Sequence, residues 1–404
     1  MHRRQFLKTG GSAIAAAAGL SLSGRLWAAP PGGPRLLVVF LRGGYDSANL
    51  LVPYSSPDYY ELRHNIAIAR PDPAAPAGAL ALDADWALAP AARATLGRFY
   101  ADRQLAFIPF AGTEDLTRSH FETQDSIELG QPEGGTRDYR SGFLARLAAT
   151  LSGGTSAGAG AIAFTDALPL IFQGPTPVPN LSLKNLGKPV FDPRQARLLG
   201  DLYAGHHLSA SVSEGLELRQ EVAQSMMDEM RSAGRDAITS KGFELEAERM
   251  GRLMNGAYRI GFIDVGGWDT HVNEGATEGA LATNLNSVGL GLASFARTLG
   301  DQWQNTVVVV LSEFGRTFRE NGNRGTDHGH GTVYWVLGGA VRGGQIAGEQ
   351  RRVQRATLFQ DRDYPVLNNY RAVLGGLFRS LWGLSAERSE QVFPAAAPIN
   401  LHLI

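Results

Sequence analysis

No cysteine occurs among the 404 residues, which excludes disulfides, cysteine nucleophiles, iron–sulfur clusters and thiolate-held metals. Any metal must be held by imidazole and carboxylate. A surplus of one charge is also lacking, since 38 Lys and Arg face 39 Asp and Glu, for a formal charge of −1. Without a basic excess to hold phosphates, no nucleic-acid partner is expected. The apolar run from Gly10 to Gly24 is rich in Gly and Ala and shorter than the ~20 residues that cross a bilayer. No stable membrane span is therefore expected in the mature chain. Internal repeats and low-complexity tracts are missing after the N-terminal segment. The balance of 44% hydrophobic and 19% charged residues excludes a wholly disordered or fibrous protein.

What is present begins with an address. Residues 1–28 carry Arg3-Arg4, then Gln5-Phe6-Leu7-Lys8, a mildly apolar middle and a small-residue end. This pattern predicts a twin-arginine signal peptide cleaved after Ala28. The segment holds four basic residues and no acid, so its removal leaves a mature charge of −5. The expected location is periplasmic or secreted, reached in the folded state through the twin-arginine translocase.

The remaining chain alternates strand and helix patterns. Arg35–Leu41 and Thr306–Leu311 are continuous aliphatic runs, as expected of strands buried on both faces of a parallel sheet. Leu105–Phe110, Tyr258–Val265 and Tyr334–Leu337 read as further strands. Helices are expected around Ala91–Asp102, from Ser119, over Phe143–Leu151, over Leu281–Leu299 and over Tyr370–Trp382. This grammar predicts an α/β fold, with one domain over 35–385 and a tail over 386–404. A Pro-rich and helical insert or cap is expected at about 169–254, with Leu216, Val222, Met226, Met227 and Met230 as filler of a helical core.

Four polar clusters follow the expected strands or sit in the loop after them: Asp46, Ser119-His120, Asp269-Thr270-His271 and Glu313. A fifth, Thr326–Thr332 with Asp327, His328 and His330, lies in a Gly-rich loop before another strand. In open α/β sheets ligands bind beyond the carboxyl ends of strands, where such groups converge. Four of the eight histidines outside the signal fall in these clusters. Imidazoles and carboxylates without sulfur suit a divalent transition ion. Ser119 reads either as a nucleophile at a helix N-terminus or as an N-cap in a box with Glu122. Arg118 and Arg316 read either as oxyanion clamps or as exposed arginines. Gly325, Gly329 and Gly331 are read as freeing the loop for positive φ. One of His328 and His330 is expected to bind metal and the other to donate to Asp327 or Glu313.

At these residues the chain resembles a known family. The strings LRGGYDSANLLVPY, RSHFETQDSIELG, GGWDTH, SEFGRT and GTDHGHGTVYWVLGGAVRGG look like domain of unknown function family 1501. That family groups exported bacterial proteins within the alkaline phosphatase/sulfatase-like superfamily. The resemblance implies a three-layer α/β/α sandwich with a mostly parallel central sheet and a metal centre at the strand ends. It implies metal ligands at Asp46, Asp269 and His271, with Glu313 after the strand that usually ends in Asp-His and His328 or His330 as the late histidine, and a nucleophile at Ser119. The residues themselves add Asp327 as an assisting ligand and Arg118, His120 and Arg316 as further catalytic candidates. One or two divalent ions (Zn, Mn or Mg) would be the cofactor. Two features depart from the superfamily pattern. Ser312-Glu313-Phe314 stands where Asp-His is expected, and Ser119 lies outside the Cys/Ser-x-Pro-x-Arg pattern of formylglycine sulfatases. Two others depart from the family itself: Ser47 replaces the usual Gly, and Asn369-Tyr370-Arg371 replaces Asp-Tyr-Arg. The expected activity is hydrolysis of a phosphate or sulfate ester, small or polymeric. The alternative is a non-catalytic exported binding or assembly protein on the same scaffold.

Overall fold

The computed structural model describes residues 33–75, 78–153, 160–183, 193–206, 208–210, 212–213, 215–216 and 243–404. The expected signal peptide lies outside these residues, as do Val222, Met226, Met227 and Met230 of the expected helical insert.

The main sheet contains β1 (Arg35–Leu41), and a small antiparallel sheet contains β2 (Leu51–Val52), β3 (Leu80–Ala81) and β4 (Ala87–Leu88). The main sheet continues with β5 (Leu105–Gly112), β6 (Ala161–Ala163), β7 (Ile260–Val265), β8 (Thr306–Leu311), β9 (Thr332–Leu337), β10 (Gln345–Ile346) and β11 (Asn368–Asn369). Its order is β10-β5-β9-β8-β1-β7-β6, with β11 also on β5. β1 pairs in parallel with both β7 and β8, and among the described residues only β9 runs against its neighbours in this sheet. The sheet is therefore mostly parallel.

Alternation along β1 shows the layering. Leu37, Val39 and Leu41 enter one buried cluster, and Leu36, Val38 and Phe40 enter another. The first cluster is completed by the helices Phe243–Asn255 and Ala280–Leu299 and by the small sheet. The second is completed by the helices Phe143–Ser152 and Tyr370–Trp382. Both faces of the sheet are covered, which gives the α/β/α sandwich and explains why β1 and β8 are aliphatic without interruption. The last helix, Ala386–Val392, packs on the second face, where Val392, Phe393 and Leu403 are buried. Among the described residues no helix is long and apolar enough to cross a membrane.

Two local expectations are corrected. The helix expected over Ala91–Asp102 is a 3-10 turn, Pro90–Ala92, followed by a separate helix, Leu96–Ala101. β5 runs past Pro109 to Gly112 through an irregularity between Ile108 and Ala111, where Phe110 takes φ 54°. Pro109 has no N–H to give a ladder, so a bulge is where a strand can hold it.

The glycine-rich loop before β9 is corrected as well. Gly325, Gly329 and Gly331 are not among the positive-φ glycines of the described residues. Their need is space. Gly315 N–H donates to His330 O at 2.9 Å, and Gly329 N–H donates to Gly315 O at 2.8 Å. Thr317 N–H donates to Asp327 O at 2.9 Å, so residues 315–317 and 327–330 form a tight ribbon. A Cβ on Gly329 would lie 2.5 Å from Arg316 carbonyl atoms, and one on Gly315 would lie 2.0 Å from Gly331 O. Gly329→Ala is expected to cost about 1–3 kcal/mol, the usual range for overpacking, read by chemical denaturation.

Candidate metal centre

β1, β7 and β8 end at the same edge, and the loop entering antiparallel β9 returns there. His120 opens the helix His120–Leu129, Asp269 and His271 follow β7, Glu313 follows β8, and His328 precedes β9. Backbone alternation after β7 sorts the side chains. Trp268 and Thr270 turn inward and are buried, while Asp269 and His271 face the cluster.

Glu313 is fully buried. Its Oε1 accepts from Gly43 N–H, Gln124 Nε2 and His120 Nδ1, each at 2.8 Å, and its Oε2 accepts from Ser312 Oγ at 2.9 Å. Burial works against its charge, but the bonds from His120 and Gln124 outweigh that and hold its pKa below the ordinary value. An ionised carboxylate only accepts, so His120 carries a proton on Nδ1. Its Nε2 is buried without a hydrogen-bond partner and lies 3.5 Å from Asp269 Oδ2.

His328 is fixed in the same sense. Its Nδ1 lies 2.9 Å from the carbonyl oxygen of Arg118, which can only accept, so the proton is on Nδ1. Its Nε2 is 3.2 Å from Asp269 Oδ1 and 3.1 Å from His271 Nε2. Burial lowers the His328 pKa. Asp269 Oδ1 also receives Arg316 Nη1 at 2.7 Å and lies 2.9 Å from His271 Nε2. Burial would raise the Asp269 pKa, but the Arg316 bond and charge bring it below the usual range. Asp327 stands behind His271, with Oδ1 3.3 Å from its Nδ1, and the Asn321 bond helps hold this carboxyl low.

Ligand atoms of His120, Asp269 and His328 all lie within 4.8 Å of one another. Two imidazoles with their proton-free nitrogens turned to one carboxylate make a donor set suited to Zn²⁺ or a similar ion. The unpartnered His120 Nε2 is the atom such an ion would satisfy. A carboxylate behind the far nitrogen, as Glu313 stands behind His120, is the usual partner of a metal-binding histidine.

The structure thus brings together His120, Asp269, His271, Glu313, Arg316, Asp327 and His328. Other expected residues stand differently. Asp46 is buried, with both oxygens taken by Arg63 at 2.5 and 3.0 Å. Burial opposes its charge, but Arg63 keeps its pKa low. Beside it, burial and the Asp46 charge push the Glu274 pKa well above its ordinary value. The Arg118 guanidinium is engaged by Asp363 at 2.7 Å, and only its carbonyl reaches the cluster. His330 is buried against the Phe359 ring at 5.1 Å, and burial brings its pKa down to about 4. The Ser119 side chain caps no helix amide, and Glu122 pairs with Arg137 at 2.6 Å, so no capping box forms. Sequence reasoning missed Arg63, Gln124 and Asp363. None carries a local signal, because their partners lie 17, 189 and 245 residues away.

Fold and cluster define an α/β protein with an imidazole–carboxylate centre at its strand ends. The chain belongs to the family described as protein of unknown function DUF1501, whose model matches residues 34–393. No curated protein matches. Among solved structures the chain is similar to Ps i-CgsB in complex with k-i-k-neocarrahexaose, at 9% identity, covering 90% of this chain and 75% of that one, with a TM-score of 0.38. It is also similar to a protein in the alkaline phosphatase superfamily from Vibrio parahaemolyticus, at 13% identity, covering 77% of this chain and 62% of that one, with a TM-score of 0.34. With TM-scores below 0.5, neither likeness bears on function.

Two outcomes are expected here. Arg63→Met leaves Asp46 as a lone buried charge and should cost about 3–5 kcal/mol in urea denaturation. The second concerns pH. The Glu313 bond, against some burial, raises the His120 pKa above its ordinary value. A metal must displace any proton on Nε2, so Zn²⁺ affinity should fall below that raised pKa by up to ~tenfold per pH unit. Chelator competition at pH 6 and pH 8 should show tighter binding at pH 8, and His120→Gln should flatten the difference.

Proposed function

We propose that the protein is an exported, metal-dependent hydrolase of phosphate or sulfate esters. The observation that carries this reading is the convergence of His120, Asp269 and His328 around a buried imidazole nitrogen that has no partner. Family membership and the twin-arginine start support the export part, with the translocase as transient partner and a periplasmic or secreted location.

His120, Asp269 and His328 would hold the ion, with His271 and Asp327 beside them. The ion supplies Lewis acidity and a lowered pKa for a nearby hydroxyl or water. The protein's own groups do the rest. Glu313 and the Arg118 carbonyl hold the two rings in one tautomer. Ser119 precedes the ten-residue helix whose N-terminal amides favour an anionic group, and its hydroxyl is assigned as nucleophile. Its Oγ bonds to phosphorus or sulfur as the bond to the alcohol oxygen breaks, with the Ser119 proton passing to the departing alcohol. Water then adds at phosphorus or sulfur as the bond to Oγ breaks, a water proton returning to Oγ and the acid leaving. Arg316 is enclosed, with Nη1 on Asp269 and Nη2 unpartnered, and is assigned to the oxyanion. Phe121, next to His120 in sequence and 83% exposed, and Val272, next to His271 and 59% exposed, are assigned as the apolar contacts of an aryl leaving group.

Aryl phosphates and aryl sulfates, tested with Zn²⁺, Mn²⁺ and Mg²⁺, should be turned over with release of the phenol. Ser119→Ala should lower the rate by at least ~100-fold, as expected when a nucleophile is lost. Asp269→Asn should lower bound metal as well. Turnover no higher than Ser119→Ala across the whole panel would overturn the proposal.

One observation favours the second reading, a binding or assembly protein with a structural metal. The carboxylate after the first strand, Asp46, is neutralised by Arg63 in the core. That reading expects His271→Ala to leave melting temperature and ligand binding unchanged.

A further inference from the structure

We propose that Arg118 serves the centre through its main-chain carbonyl rather than its guanidinium, and that Asp363 is the positioning residue that holds it there. The proposal rests on the reading of His328 as a metal-binding imidazole.

The geometry points one way. Asp363 is fully enclosed, and its Oδ2 accepts from Arg118 Nε at 3.1 Å and Nη2 at 2.7 Å. Arg118 Nη2 also donates to Gln360 Oε1 at 2.8 Å. The guanidinium is thereby turned away from the cluster and committed to the 359–363 turn, which Asp363 N–H closes on Phe359 O at 3.0 Å. Arg118, Gln360 and Asp361 all stand at left-handed φ, 52°, 55° and 55°. Non-glycine residues hold that conformation only where their surroundings over-determine it. The result at the far end of Arg118 is a carbonyl aimed at His328 Nδ1, 2.9 Å away. A second tie comes from Arg362, whose Nη1 meets Asp363 Oδ2 at 3.3 Å and whose Nη2 donates to His328 O at 2.9 Å. One buried carboxylate therefore fixes both the backbone of His328 and the acceptor behind its ring. With the proton held on Nδ1, Nε2 presents its lone pair to Asp269.

The proposal separates two roles of Arg118. If its guanidinium clamps an oxyanion during turnover, releasing it from Asp363 helps. If its carbonyl orients His328, releasing it harms. The test uses the full chain, ¹⁵N-labelled and stripped of metal, with the His328 ring signals assigned through His328→Gln. Long-range ¹H–¹⁵N spectra of the wild type are expected to show the Nδ1–H tautomer. Asp363→Asn is expected to mix the tautomers and to weaken Zn²⁺ affinity by ~10–100-fold in chelator competition, the usual effect of losing support behind a ligand. The double variant Arg118→Met with Asp363→Asn leaves no lone charge buried, so it keeps the test open if the single variant does not fold. It is expected to behave as the single variant does. An unchanged tautomer and unchanged Zn²⁺ affinity in these variants would overturn the proposal. So would faster ester turnover in Asp363→Asn. The tautomer is read without substrate or metal, so this proposal and the hydrolase reading fail on different measurements.

Discussion

The buried carboxylate of Glu313 is the interaction on which the edge of the sheet depends. A lone carboxylate in a core is costly, so it must gather donors. Glu313 gathers them from the loop after β1 through Gly43, from the helix His120–Leu129 through His120 and Gln124, and from its own strand end through Ser312. One anion thus joins three elements. It also sets the proton on His120, which leaves Nε2 as the atom that could face an ion.

Around it the backbone approaches itself closely. Gly43, at φ 125°, leaves no room for a side chain, because a Cβ there would lie 2.7 Å from Asp269 N. The ribbon of residues 315–317 and 327–330 is equally tight. These contacts place Asp269, Glu313 and His328 with little freedom, which is what a metal site requires of its supports. Arg42 adds a tether across the same edge, bonding Asp264, Gln124 and Glu128 while its guanidinium stacks on Phe40 at 4.6 Å.

Behind the centre lies a second polar network. Asp46, Arg63, Asn49 and Tyr59 are buried together, and Glu274 reaches Thr270 and Thr326 at 2.8 and 2.9 Å. Thr326 Oγ1 in turn receives Arg316 Nε at 3.2 Å. The bonds from Glu274 through Thr326 to Arg316 thus support the arginine that holds Asp269. Removing a member leaves an unpaired group in low dielectric, so the network is rigid at the price of tolerance.

The sandwich was legible in the residues because burial on both faces demands unbroken apolar strands, and β1 and β8 show them. The polar clusters were legible because loops at strand ends are free of the apolar pattern, so Asp269-Thr270-His271 and Glu313 stand out. Local order alone could not separate His328 from His330. They are two residues apart, yet Gly331 N–H is drawn to Tyr364 O and the His330 ring to Phe359, while His328 turns to Asp269. Nor could it show that Asp46 is paired or that Arg118 faces away. Those outcomes depend on Arg63 and Asp363, single residues without periodicity whose roles arise only on contact. Short-range pattern determined which segments are strands and which loops carry chemistry. Tertiary packing decided which charges neutralise one another and which nitrogen is left free, because a buried charge is settled by whichever partner the fold brings within hydrogen-bond reach.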